Sequence, residues 1–184
     1  RRILNPVLCT AAELGLRISR LKADGRYLAQ LGIRTELADG RVHDFRMLVQ
    51  KNGEGRWDVT GCAARIGASG SVTANLHGGG KARPAETLLR ERFSDAAAIK
   101  SIIEDMENTG IRAASLLERR YGRLCELGLD LAVDPSGRVW LLEVNPKPGR
   151  DIFHRIGDMR AYRTAVRRPL EYALRLASGR TPDG

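Results

Sequence analysis

The chain has 184 residues, of which 42% are hydrophobic and 5% aromatic, and a formal net charge of +9. That length can bury one substantial core or two small ones, while no run approaches the ~18 to 20 apolar residues of a membrane span and nothing resembles a signal peptide. A soluble globular piece with no membrane partner is therefore expected, and a solvated basic surface is a simpler reading of scattered arginines and few aromatics than a nucleic-acid face.

From the amino terminus, Arg1 stands where a methionine would open a complete chain, and "RRILNPVL" has no cleavable apolar core, so a fragment of a longer protein is expected. Thr10 and Glu13 form a capping box ahead of Leu14, Ile18 and Leu21 at helical spacing, which predicts a helix ending before Gly25. From Arg26 to Gly67 the pattern predicts strands and tight turns, with "DG" at Asp39–Gly40 and "NGEG" at Asn52–Gly55 as turn chemistry. Phe45–Gln50 should pair antiparallel with Trp57–Ala64. The glycine-rich stretch Gly67–Gly80 predicts a mobile loop. Ser94 is placed to cap a helix with Ile99, Ile102, Ile103 and Met106 on one face. Gly110 then precedes a second helix with Ile111, Ala114, Leu117 and Tyr121 inward. A last helix has Pro169 in its first turn and Gly179 as its cap. Cys9, Cys62 and Cys125 lack metal-site spacing and read as ordinary thiols of a reducing, cytoplasmic compartment. Without a repeating strand–helix unit, the fold class is α+β, an antiparallel sheet with packed helices.

The stretch "DLAVDPSGRVWLLEVNPKPGR", Asp130–Arg150, carries the chemistry. With Pro135 and Ser136 as the central turn residues, Val133 pairs with Arg138 and Asp130 lies opposite Leu141. Asp130, Leu141, Glu143 and Asn145 then share one face, with Asp130 and Glu143 about 7 to 8 Å apart as diagonal neighbours. Leu129, Leu131, Val133, Trp140, Leu142 and Val144 take the core face. The grouping depends on the turn, since a loop one residue longer or shorter breaks it. Three hard oxygen donors on one face suit Mg²⁺ with substrate phosphates; equally, three polar residues could solvate the outer face of a half-exposed sheet.

"GLDLAVDPSGRVWLLEVNPKPG" resembles the metal-binding end of the ATP-grasp superfamily, which includes glutathione synthetase, D-alanine ligase and the ribosomal-protein glutamate ligases. More narrowly, the chain is similar to the YheC/YheD family of endospore coat-associated ATP-grasp proteins. The supporting stretches "YLAQLGI", "DFRMLVQKNGEGRWDVTG", "ARIGASGSVTANLHGGG", "ELGLDLAV" and "PLEYALRLA" follow in the family's order from about residue 27 onward. The resemblance implies a carboxyl-terminal ATP-grasp subdomain over residues 27–184, with residues 1–26 a helical remnant of the preceding subdomain.

By position, the resemblance makes Asp130, Glu143 and Asn145 the ligands of Mg²⁺, or Mn²⁺ in its place. It assigns Arg46 and Arg65 to the phosphates or acyl phosphate, Asn75 to the reacting group, and the backbone of Gln30 and Leu31 to adenine. The implied activity is an ATP-dependent carboxylate–amine ligation: a carboxylate takes the γ-phosphate as an acyl phosphate, and an amine then displaces phosphate. Its partners would be a nucleotide and small-molecule or peptide substrates. A non-catalytic descendant, working as a structural or assembly protein with spore coat proteins as partners and a spore-associated location, is the alternative.

Overall fold

The computed structural model describes residues 9–22, 30–74, 76 and 79–179. The chain divides into two units, Arg1–Ile33 and Arg34–Gly184. In the first, α1 (Ala11–Lys22) starts at the expected capping box. The Glu13 amide donates to Thr10 Oγ1 at 3.3 Å, and Glu13 Oε2 accepts from the Thr10 amide at 2.8 Å. Reciprocal bonding of this kind satisfies donors that a helix start otherwise leaves open.

The second unit is built on a five-stranded antiparallel sheet, as the sequence predicts. Its elements are β1 (His43–Lys51), β2 (Trp57–Ile66), β3 (Lys81–Pro84), α2 (Ala85–Arg92), α3 (Ala96–Tyr121), β4 (Glu126–Val133), β5 (Val139–Asn145), α4 (Asp151–Arg155) and α5 (Met159–Ala177), with strand order β3-β2-β1-β4-β5. Phe45 lies opposite Ala64 and Lys51 opposite Trp57, which is the expected β1–β2 pairing. The Asn52–Gly55 turn closes it: Asn52 Oδ1 accepts from the amides of Glu54 and Arg56, and Gly55 adopts φ 77°.

Alternation along the strands divides the core. Phe45, Met47 and Val49 of β1 point to the same face as Leu127, Leu129, Leu131 and Val133 of β4, where α2 and α3 cover them with Leu88, Leu89, Ile99, Ile102 and Met106. Leu48 and Ala63 point the other way, against Ile152 and Phe153 of α4 and Ala161 and Ala165 of α5. Helices thus cover both faces, and the even-numbered residues of β1 lie on the α4–α5 side.

Several expectations change. The Ser94 cap and the break at Gly110 give way to one helix of 26 residues, α3, capped by Asp95, whose carboxylate accepts from the amides of Ala97 and Ala98. Gly110 is needed for proximity rather than for ending a helix: a Cβ there would come 2.9 Å from Met47 Sδ and 3.1 Å from Val49 Cγ2. Tyr121, expected inward, is 72% exposed. The strand pattern from Arg26 onward shrinks, within the described residues 30–42, to a single Glu36–Val42 bridge around the Asp39–Gly40 turn. β3, α2 and α4 are short elements that no periodicity announced.

The last helix begins ten residues before Pro169, where Asp158 caps Ala161. A proline inside a helix leaves the carbonyl four residues earlier without its donor. That carbonyl belongs to Ala165, and the fully buried Gln50 Nε2 donates to it at 2.9 Å. Gln50 also donates to Glu126 and accepts from Thr60 Oγ1 at 2.7 Å. Thr60 Oγ1 in turn accepts from Arg168 at 2.8 Å. The proline thereby becomes a docking point on the sheet.

His43 opens β1 at 1% exposure, edge-on to Phe45 at 5.7 Å, with neither ring nitrogen bonded among the described residues. Burial first, and the charge of Arg92 second, push its pKa down to about 4.

Two measurements test this packing. Gln50→Leu should cost about 1 to 3 kcal/mol in urea unfolding by orphaning the Ala165 carbonyl. The loss should shrink in a Pro169→Ala background, where the restored amide can take that carbonyl; equal losses in both backgrounds would disprove the link. For His43, the unfolded chain binds the proton first, so stability is complete above pH 6.5 and lost as pH falls toward 4, by an amount on the order of 3 kcal/mol. The difference in unfolding free energy between wild type and His43→Leu, followed from pH 7 to 4, should change by that amount.

Candidate functional site

The β4–β5 hairpin differs from its expected register in two ways that cancel. Its loop has three central residues, Pro135, Ser136 and Gly137: the Asp134 amide donates to Arg138 O at 3.1 Å, and Gly137 takes φ 87°. Asp134 stabilises the turn by accepting from Ser136 and Trp140, which hold its carboxyl well below the ordinary range. Val133 therefore pairs with Val139 rather than Arg138, and Leu131 with Leu141. A register shift between Asp130 and Leu131 then absorbs Leu142, so Asp130 faces Glu143 directly. Leu142, expected in the core, is 37% exposed. Asp130, Glu143 and Asn145 keep one face, with Asp130 and Glu143 as direct cross-strand partners rather than diagonal ones. Leu141, expected beside them, lies instead opposite Leu131 on the core side, and Trp140, expected in the core, lies opposite Ala132 on the other.

This row continues across the sheet. Arg46 pairs with Asp130, Asp44 with Arg65, and Gly128 with Asn145, all on the α4–α5 side. Arg46 Nε donates to Asp130 Oδ1 at 2.6 Å; Arg65 donates to both oxygens of Asp44 at 2.6 Å and lies 2.9 Å from Asp130 Oδ2. The side chains are 7% (Arg65) to 16% (Arg46) exposed. Two arginines and two aspartates thus neutralise one another in a largely dry layer. Burial raises the Asp44 carboxyl despite the opposing pull of Arg65. For Arg65 itself burial works against the charge, but its bonds to Asp44 and its attraction to Asp130 prevail and raise its pKa.

Arg46, Arg65 and Asn145 line a cavity of about 330 Å³ with Leu76, Gly149, Asp151, Ile152 and Arg155. Asn145 Oδ1 accepts from the Lys147 amide at 2.9 Å, turning the chain so that Pro148 covers Gly128, where a Cβ would meet it at 2.8 Å. Glu143 is exposed and has no hydrogen bond or ion pair among the described residues. Of the other predicted residues, Gln30 and Leu31 are exposed and belong to the first unit, and Asn75 lies outside the described residues. Among the described residues no three His, Cys, Asp or Glu side chains form a metal-ligating group.

Sequence reasoning missed Asp44, Asp151 and Arg155. Asp44 could have been found by parity, since it shares a strand face with Arg46. Asp151 and Arg155 sit on α4, five residues long and without a readable period. The two candidate carboxylates should respond oppositely to truncation. Asp130→Ala leaves two poorly exposed arginines short of a partner and should cost about 3 kcal/mol in urea unfolding. Glu143→Ala should stay within about 0.5 kcal/mol. Similar losses for both would contradict the ion-pair arrangement.

Residues 7–176 match the YheC/D-like ATP-grasp family. The chain is 32% identical over 148 residues to the "Endospore coat-associated protein YheD" of Bacillus subtilis (strain 168), covering 80% of this chain and 32% of that protein. It is 30% identical over 131 residues to the "Endospore coat-associated protein YheC" of the same organism, covering 71% of this chain and 36% of that protein. The chain thus spans about a third of the length of the curated relatives it matches. With nearly all of its described residues inside the matched region, the chain belongs to the YheC/D-like ATP-grasp family.

Proposed function

We propose that this domain binds ATP with Mg²⁺ and serves carboxylate–amine ligase-type chemistry through an acyl phosphate. The observation that carries the reading is the direct opposition of Asp130 and Glu143 on the sheet face that also bears Arg46 and Arg65. The donor set fits a hard cation: two carboxylates and one amide oxygen, with Glu143 uncommitted among the described residues. Asp130 is engaged by both arginines and Asn145 by Lys147, yet each oxygen retains a lone pair. Asp130, Glu143 and Asn145 would hold Mg²⁺, or Mn²⁺ in its place. When bound, the ion supplies charge neutralisation at the phosphates.

The chain's own contribution is positioning. Arg46 and Arg65 are held by carboxylates in a fixed orientation, so their remaining N–H groups can meet phosphate or acyl-phosphate oxygens without reorganising. No side chain need act as a nucleophile. The resemblance adds Asn75 for the reacting group and the backbone of Gln30 and Leu31 for adenine. Substrates would be a nucleotide, a carboxylate and an amine, as small molecules or peptides.

The names of the two relatives favour a second reading, a non-catalytic structural protein at the spore coat. Calorimetry separates the two. ATP should bind in the presence of Mg²⁺ and not in EDTA, and Glu143→Ala should weaken binding by roughly tenfold or more, the usual weight of losing one charged ligand. Absence of binding by the wild-type protein, or unchanged binding by the variant, would leave the coat reading standing.

A further inference from the structure

The cavity holds a charge that the ligase reading does not use. Arg46 and Arg65 are already neutralised by Asp130 and Asp44. Arg155 lines the same cavity and has no ion pair or hydrogen bond among the described residues. Asp151 lines it one helical turn earlier, and the pair form no salt bridge although their i, i+4 spacing permits one. Both side chains are fixed at their base, since α4 is anchored by the buried Ile152 and Phe153. Phe153 packs so tightly that a Cβ on Gly61 would come within 2.8 Å of its ring.

We infer that Arg155 is the recognition residue for an oxyanion entering this cavity, a carboxylate or a phosphate group of the bound ligand. An anion arriving there finds two guanidiniums already held by carboxylates, with only their remaining N–H groups to offer, and a third, Arg155, with no carboxylate partner among the described residues. A planar guanidinium can also grip either group through two parallel N–H bonds. At about 330 Å³ the cavity suits one end of a small ligand rather than a whole nucleotide. Asp151, with its like charge, opposes any anion and tunes its affinity. The inference rests on reading this cavity as a ligand site, but it requires neither nucleotide nor metal.

Binding of inorganic phosphate and of glutarate is measured by calorimetry in EDTA, on the whole chain and on Arg155→Gln, Arg155→Lys, Asp151→Asn and Arg160→Gln. The last removes an exposed arginine of α5 that does not line the cavity. Arg155→Gln should weaken binding roughly tenfold or more, as loss of a charge-assisted contact does. Arg155→Lys should keep part of it, Asp151→Asn should strengthen it, and Arg160→Gln should leave it unchanged. The gain in Asp151→Asn is a sign that mere structural damage would not produce. Stronger phosphate binding would assign the cavity to the nucleotide end of the ligand, stronger glutarate binding to the carboxylate substrate. Overturning results are wild-type protein that binds neither probe, Arg155→Gln within twofold of wild type, or an equal loss in Arg160→Gln. Failure of ATP to bind with Mg²⁺ alongside success here would reject the ligase reading and keep Arg155.

Discussion

The constraint around which the site is arranged is that two arginines and two aspartates share one poorly solvated layer on the α4–α5 side of the sheet. Arg65 comes from β2, Asp44 and Arg46 from β1, and Asp130 from β4, so the charges cross-link three adjacent strands. Each charge is tolerable only while its partner is in place, because desolvating an ion costs more than one attraction returns unless the remaining bonds are also made. The same layer would be at least as stable filled with apolar residues of similar volume. What it provides instead is a pair of guanidinium groups held in fixed positions at the cavity wall. Gly128 and Pro148 keep that layer compact: the missing Cβ lets Pro148 close over β4 beside Arg46.

The two sheet faces differ in polarity. One is an apolar surface under α2 and α3, continuous from Leu88 and Leu89 to Met106. The other alternates apolar rows with polar ones. Its apolar part, Leu48, Ala63, Phe153 and Ala165, anchors α4 and α5, while the polar part opens beside α4 as the cavity. Gln50 supports this by taking up the carbonyl that Pro169 frees, which secures α5 where the proline interrupts its own bonding.

How far the sequence could be read follows from which signals are local. The capping box of α1, the Asn52 turn and the β1–β2 pairing depend on residues close in sequence, and each appears as expected. Glycine and proline misled at Gly110 and Pro169. Both residues weaken a helix intrinsically, yet α3 and α5 run through them, because packing on the sheet outweighs about 1 kcal/mol for glycine and about 3 for proline. In the hairpin the expectation holds for Asp130, Glu143 and Asn145 and fails nearer the turn: a loop one residue longer inverts the parity, which puts Leu141 on the core side and Trp140 on the other, and the absorbed Leu142 restores it only from Glu143 onward.

By itself the sequence determined which residues could carry the chemistry. The acids, the amide and the arginines lie at strand positions whose alternation allows them one common face, and the hard-oxygen character of the donors follows from residue type. Only the tertiary structure decided that Asp130 spends its charge on Arg46 and Arg65, that Glu143 has no such partner among the described residues, that Asp44 joins the ion-paired row, and that Asp151 and Arg155 line the cavity with Arg46, Arg65 and Asn145. The reason is that pairing across β2, β1 and β4, and the seating of a five-residue helix by the buried Ile152 and Phe153, join residues far apart in the chain. Period and propensity carry no information about that.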